Sequence, residues 1–297
     1  MGPVLFLIFI NQIGSLSLKG KLFLFADDIT ILYTGPDLDL LRSDIQSDCI
    51  CLTKFINSLK LTANALKTKL LVFSKSRRIP NFPLSIQFHG QEIECVSSIK
   101  FLGLCLDSSL TWENHIKHVI KKVRSVTVVL SRLRSSLPTD RLRTLDFSLI
   151  HSRMSYLSFV WGRATKSALQ PLLLLQNWSL RALFGFDPYF PVVEMYRRSN
   201  ILPFDKFVKF SSSVFLYKIL HHQANVRTTF TRINQTTSYN IRSGSNLTIP
   251  PPSSSKYGLN SVQSKMLLEY NALDQSVKDA PTLSSFKKLL KQILSPI

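Results

Sequence analysis

The chain has 297 residues, 45% of them hydrophobic, with a mean hydropathy of +0.11; that is long enough for about two domains with buried cores and too apolar for a disordered chain. Its 37 lysines and arginines oppose 18 acidic residues, for a formal charge of +19 and an isoelectric point near 10.0, which points to a polyanionic partner, either nucleic acid or an anionic membrane. The four cysteines, Cys49, Cys51, Cys95 and Cys105, have apolar neighbours and no Cys-x-x-Cys spacing, which argues against a zinc site and for reduced core thiols in an intracellular protein.

Met1 to Ile10 is apolar but has no cationic leader and falls short of the ~20 residues that span a bilayer, so no signal peptide or transmembrane segment is expected. Gly2 to Asn11 has the pattern of an interior core helix without a polar cap, as if the chain were cut into. Lys21–Phe25 and Ile29–Tyr33 are β-type runs that predict a tight hairpin, with Asp27 and Asp28 at its tip. Two carboxylates leaving an apolar sheet suit Mg²⁺, which takes one or two carboxylates plus substrate phosphates. The plainer alternative is a turn dipeptide whose side chains cap backbone N–H groups.

Asp37 to Leu59 has helical spacing, and Leu61 to Asn64 leads into a strand over Leu70–Phe73. Leu84–Phe88 and Gln91–Val96 predict a second hairpin around His89-Gly90, and Ile99–Leu106 extends the sheet. From Trp112 the pattern turns helical. One helix is expected to end at Pro138, a second to start at a Thr139-Asp140 cap and run towards Trp161, and others to cover Ser167–Phe184, Phe204–Leu220 and Leu283–Leu294. Residues 228–255 are rich in Ser, Thr, Asn and Pro and predict an irregular segment, with Pro250-Pro251-Pro252 extended. The fold class is therefore α+β, turning helical after its first third. Lys117, Lys121, Lys122, Arg124, Arg132 and Arg134 fall in a stretch without any acid and are candidate phosphate contacts. His115 and His118 have a metal-like spacing but no completing ligand nearby, and are taken as structural.

Taken in order, these segments resemble the C-terminal half of the reverse transcriptases of non-LTR, jockey-like LINE retrotransposons. Gly2-Pro3-Val4-Leu5-Phe6 is similar to the end of the family's Gly-Pro-x-Leu-Phe motif, and Phe25-Ala26-Asp27-Asp28 to its Tyr/Phe-x-Asp-Asp box. Leu61 to Lys69 is similar to its Leu-x-Leu-Asn-x-x-Lys-Thr segment, and Phe101 to Ile116 to its primer-grip segment. Fainter echoes follow at Trp161-Gly162, Leu175-Gln176-Asn177, Tyr239-Asn240-Ile241-Arg242, Tyr257-Gly258-Leu259 and Phe286-Lys287.

The resemblance implies an RNA-directed DNA polymerase acting on RNA template, DNA primer and dNTP by a two-Mg²⁺ mechanism. It divides the chain into a partial palm (1–111), a helical thumb (112–165) and a basic, mostly helical C-terminal extension (166–297). Asp27 is the implied shared metal ligand, with Asp28 assisting. Lys67 would stand near the leaving phosphate or is a solvated turn lysine. Leu102 and Gly103 belong to the primer grip, on a strand whose backbone approaches the primer end, or Gly103 merely packs.

The family's fingers and first catalytic Asp would lie before Met1, so the two-ion site is incomplete and the chain alone is expected to be inactive. The upstream half of the same polyprotein would then be a partner. The competing expectation is a catalytically dead remnant that only binds nucleic acid; a nuclear or cytoplasmic location without membrane attachment accompanies either reading.

Overall fold

The computed structural model describes residues 2–74, 85–224, 226, 230–233, 246–251 and 261–295. Two compact units result, Met1–Leu110 and Thr111–Ile297. Strands occur in the first unit and most helices in the second, the α+β mixture expected from the residue pattern. The echoes at Tyr239–Arg242 and Tyr257–Leu259, and most of the irregular segment, lie outside the described residues.

In the first unit α1 (Gly2–Ile10) is helical as expected but is not a core helix. Val4, Leu5 and Ile8 are all more than 60% exposed, and burial begins only at Ile10 and, in the following 3₁₀ segment, Ile13. Strands β1 (Lys21–Phe25) and β2 (Asp28–Leu32) form the antiparallel hairpin, pairing Lys21 with Leu32 and Phe25 with Asp28. Helix α2 (Leu38–Ser58) starts at Asp37, whose carboxylate accepts the N–H groups of Asp39 and Leu40 at 2.8 and 3.2 Å, satisfying donors that a helix start leaves orphaned. Its Cys49, Leu52 and Ile56 lie on one stripe. They pack with Ile13, Ile86, Phe88 and Ile93 and with the hairpin's Leu22, Leu24, Ile29 and Ile31 in a single core.

The remaining strands are short and form separate two-stranded sheets. β3 (Lys69–Leu71) pairs parallel with β6 (Glu94–Val96), while β4 (Gln87–Phe88) and β5 (Gln91–Glu92) make a hairpin. Its turn is the expected His89-Gly90, both at positive φ (48° and 76°), the backbone that a two-residue hairpin turn demands. Ile99–Leu106 is not one strand. It folds as a hairpin of β7 (Ser98–Phe101) and β8 (Leu104–Asp107), with Leu102 and Gly103 as the turn at φ 43° and 84°. The cysteines form no disulfide; Cys49 is buried, but Cys95 is exposed and so is no core thiol.

The second unit opens with α3 (Glu113–Arg132), which ends six residues short of the expected Pro138. α4 (Thr139–Leu145) is entered through Pro138 rather than a Thr139-Asp140 cap, with no side-chain cap bond. It passes directly into a π-helical turn (Asp146–His151) and α5 (Ser152–Ser155). Leu157, left-handed at φ 49°, breaks the expected single helix before α6 (Ser158–Trp161). α7 (Lys166–Phe184) packs on α3, where the Thr127 and Ser179 hydroxyls meet at 2.9 Å inside the contact. α8 (Val192–Ser199) was not anticipated; α9 (Phe204–Leu220) was.

The chain closes with α10 (Val262–Asn271), α11 (Gln275–Lys278) and α12 (Leu283–Leu294), the last begun by a capping box between Thr282 and Ser285. These helices bury Met266, Leu267, Phe286 and Leu290 against Leu216 and Tyr217 of α9. Arg163 holds Glu269 through two bonds of 2.5 and 2.6 Å, and the Ser212 hydroxyl donates to the same carboxylate at 2.8 Å. Among the described residues no helix is long and apolar enough to cross a membrane.

Burial raises the Asp146 carboxyl in the π-helical turn to about 7, partly offset by Arg143. A carboxyl raised on folding stabilises fully below its unfolded value near 3.8 and loses that contribution as pH climbs through about 7. Burial lowers His151 to about 4, so its contribution has the opposite sign and is lost as pH falls from about 6.5 to 4. Asp146→Asn should therefore gain stability relative to the parent at pH 8 and not at pH 4, as checked by urea unfolding at both values; equal effects at the two would contradict the assignment.

Candidate active site on the first hairpin

The turn of the first hairpin is Ala26-Asp27, with Ala26 left-handed at φ 51°. A positive φ at the first turn position matches the right-handed twist of the strands it joins. Asp27 thus sits at the tip as expected. Asp28 does not; it is the first residue of β2, opposite Phe25. Alternation sends Leu22, Leu24, Ile29 and Ile31 into the core and leaves Asp28 on the outer face with Phe23 and Phe25, which are 46% and 64% exposed. Both carboxylates are exposed, and among the described residues neither accepts a hydrogen bond or joins an ion pair. The plainer role of capping turn N–H groups is therefore not used here.

The residue that holds this hairpin is Asp48, which the sequence reading missed. It lies on the buried face of α2, only 3% exposed, and accepts the N–H groups of Lys19 and Gly20 at 3.1 and 3.0 Å and the Tyr33 hydroxyl at 2.9 Å. Lys19 and Gly20 precede β1 and Tyr33 follows β2, so one side chain clamps the open end of the hairpin. Burial first, then the bond to Asp48, pushes the Tyr33 hydroxyl well above its usual range and keeps it a donor. Gly20 has no room for a side chain, since a Cβ there would overlap Ile31 and the Tyr33 ring. The readable signal was the spacing of Asp48, Leu52 and Ile56, which puts an acid on an apolar helical stripe.

Lys67 ends a 3₁₀ turn (Ala65–Lys67) whose entry is fixed by Asn64, its side-chain oxygen accepting the Lys67 N–H at 3.1 Å. Ala65 is buried in the same core as the hairpin, so Lys67 and the Asp pair are built on one scaffold. No ion pair joins them among the described residues. Asp107 ends β8 and accepts the Ser109 N–H at 3.1 Å. No group of three His, Cys, Asp or Glu residues forms a metal-sized cluster among the described residues. Leu102 and Gly103 form the β7–β8 turn, a placement different from the strand expected of the primer grip.

On α3, Lys117, Lys121, Arg124 and Arg132 follow one another at three- and four-residue steps or their multiple and form one exposed stripe. The opposite face, with Ile116, Val119, Val123 and Leu130, is buried. Lys122 is exposed but off that stripe, beside Arg153, which donates to the Lys122 carbonyl at 3.1 Å. Arg134 packs its guanidinium over Gly185, the left-handed C-cap of α7, where a cation complements the helix dipole. Burial lowers His115 to about 4, which keeps it neutral against the Trp161 ring at 5.1 Å.

The chain is similar to the RNA-directed DNA polymerases of non-LTR retrotransposons. It is 24% identical over 220 residues to the probable RNA-directed DNA polymerase from transposon X-element of Drosophila melanogaster, covering 71% of this chain and 24% of that protein. To the probable RNA-directed DNA polymerase from transposon BS of the same fly it is 23% identical over 234 residues, 75% of this chain and 26% of the relative. To the RNA-directed DNA polymerase from mobile element jockey it is 25% identical over 168 residues, 56% and 18% respectively. The chain thus spans about a quarter or less of the length of these curated relatives. No family model and no solved structure matches it.

Asp48→Ala should strand three donors in a buried position and destabilise the first unit by about 3 kcal/mol. Asp27→Asn, which removes no contact, should leave stability within about 0.5 kcal/mol of the parent. Urea unfolding followed through tyrosine absorbance near Tyr33 checks both.

Proposed function

We propose that this chain supplies the metal-holding hairpin and a nucleic-acid-binding helical portion of an RNA-directed DNA polymerase of a non-LTR retrotransposon. The observation that carries the reading is the pair of exposed, unengaged carboxylates at the end of a clamped hairpin, in a chain similar to such polymerases. Hard oxygen donors without a protein partner suit Mg²⁺, and Asp27 and Asp28 would hold it. When bound, the two ions would lower the pKa of the primer 3′-hydroxyl and neutralise the triphosphate and leaving pyrophosphate.

The chain's own residues do the rest. Asp27, in the turn, would be the shared ligand, and Asp28, in the ladder opposite Phe25, would assist it. Lys67, on its rigid turn, offers a cation or proton to the leaving phosphate. The β7–β8 turn, with Gly103 lacking a side chain, lets backbone approach the primer end. The α3 stripe spans about 22 Å from Lys117 to Arg132 at 1.5 Å per residue and meets the phosphates of RNA template and DNA primer.

A second reading, a catalytically dead nucleic-acid-binding remnant, draws on the absence of any three-ligand cluster among the described residues. On either reading the 297-residue chain alone should give no primer extension on poly(rA) with oligo(dT).

Grafted in place of the corresponding segment of a transposon polymerase, residues 1–110 should restore extension, and Asp27→Ala in the graft should lower it at least a thousandfold. An inactive graft favours the remnant, and an active graft indifferent to Asp27→Ala sinks the metal assignment. For the basic stripe, replacing Lys117, Lys121, Arg124 and Arg132 by Gln should reduce the salt slope of single-strand binding by about 3, since each phosphate contact contributes roughly 0.7.

A further inference from the structure

The loop between α7 and α8 holds an aromatic side chain out in solvent on a well-fixed support. Its sequence, Gly185-Phe186-Asp187-Pro188-Tyr189-Phe190-Pro191, places Asp and then Pro at the start of a tight turn. The Phe190 N–H closes that turn on the Asp187 carbonyl at 3.0 Å, and the Asp187 carboxylate accepts the Tyr189 N–H at 2.8 Å. Tyr189 stands at the tip and is 94% exposed, so its ring is not used for packing.

Behind the tip, the Phe190 ring stacks on Phe186 with centroids 5.0 Å and planes 23° apart, and the Arg198 guanidinium of α8 lies 5.0 Å from the Phe190 centroid. Arg181 of α7 donates to the Phe190 carbonyl at 3.3 Å. Two arginines from two helices thus contact the residue next to Tyr189, one at its ring and one at its backbone. At the base of the same loop the exposed Arg134 guanidinium lies against Gly185. Arg134 and Arg181 join no ion pair among the described residues. Arg198 shares the Glu194 carboxylate with Arg197, which leaves one positive charge over. Asp187, the acid of the loop, is engaged by the Tyr189 N–H.

An open aromatic ring with guanidinium groups beside it is how proteins hold single-stranded nucleic acid, the base stacking on the ring while phosphates meet the cations. The arginines around the loop match a polyanion in charge. Bases of a duplex are already stacked on one another, so a single ring at a loop tip engages an unpaired base. We propose that the 185–190 loop is a stacking platform for single-stranded nucleic acid, with one unpaired base on the Tyr189 ring and an adjoining phosphate on Arg198. Arg181 is a positioning residue that holds the loop backbone through the Phe190 carbonyl. The inference rests on the nucleic-acid-binding part of the proposed function and adds a base contact to the phosphate contacts of the α3 stripe.

Fluorescence anisotropy of the purified full chain with labelled (dT)₁₂, and with an abasic 12-unit strand of the same charge, separates stacking from phosphate contact. Tyr189→Ala should weaken (dT)₁₂ binding by about fivefold or more, as expected for one lost stack, and leave the abasic strand within about twofold. The salt slope should stay unchanged in Tyr189→Ala and fall by about 0.7 in Arg198→Gln, and Tyr189→Trp should keep the affinity for (dT)₁₂. Binding of (dT)₁₂ that is indifferent to Tyr189→Ala overturns the platform and leaves the α3 stripe standing, whereas no binding of either strand overturns both. Self-association of the unaltered chain in sedimentation, abolished by Tyr189→Ala while (dT)₁₂ affinity is unmoved, assigns the tip to a second copy and likewise overturns the platform.

Discussion

One buried carboxylate sets the geometry of the first unit. Asp48 takes two backbone N–H groups and a hydroxyl at the open end of the β1–β2 hairpin, and through them fixes the register of the strands on α2. Register matters more here than in most hairpins. A slip of one residue would exchange the two faces, carrying Asp28 into the core that Leu22, Leu24, Ile29 and Ile31 now occupy. The clamp is about 17 Å from the turn, five residues at roughly 3.4 Å each. A residue remote from the Asp pair thereby decides where the pair stands.

The second unit solves a different problem, that of bringing many short helices together, with strand pairing among its described residues limited to one bridge of Arg232 with Leu247. Its polar fasteners are buried or nearly so, as with Thr127 and Ser179 between α3 and α7, and the Arg163, Ser212 and Glu269 group between α9, α10 and the end of α6. Paired charges of this kind add little net stability over an apolar contact, but removing one partner is costly. Aromatic stacking of Trp161 on Phe204 at 5.0 Å and of Tyr217 on Phe286 at 4.4 Å fills the space around them. With one face of α3 committed to this core, its basic residues have only the solvent side left.

What the sequence disclosed follows from the range of the interactions. Helices α2, α9 and α12 were legible because their apolar spacing and end signals are local. The first hairpin and its Asp pair were legible for the same reason. The β7–β8 hairpin was not, because Leu102-Gly103 sits inside an unbroken apolar run and only strand pairing reveals the turn. The break at Leu157 and the short α8 are likewise imposed by packing. Asp48 was hidden because its three partners lie 15 to 29 residues away. Arg134, one of the candidate phosphate contacts, lies with its guanidinium over Gly185, a contact that no local pattern announces.

The division of labour among acids is the last step. Asp48 is buried and fully engaged, whereas Asp27 and Asp28 are exposed and engage nothing among the described residues. Some acids elsewhere in the chain are paired with cations, as Glu194 is with Arg197 and Arg198 and Glu269 with Arg163. On the proposed metal reading, the cation that would match this acid pair is Mg²⁺. Because stability rests on Asp48 and the proposed chemistry on Asp27 and Asp28, the two are separable by mutation, which is what allows the metal reading to be tested without unfolding the protein.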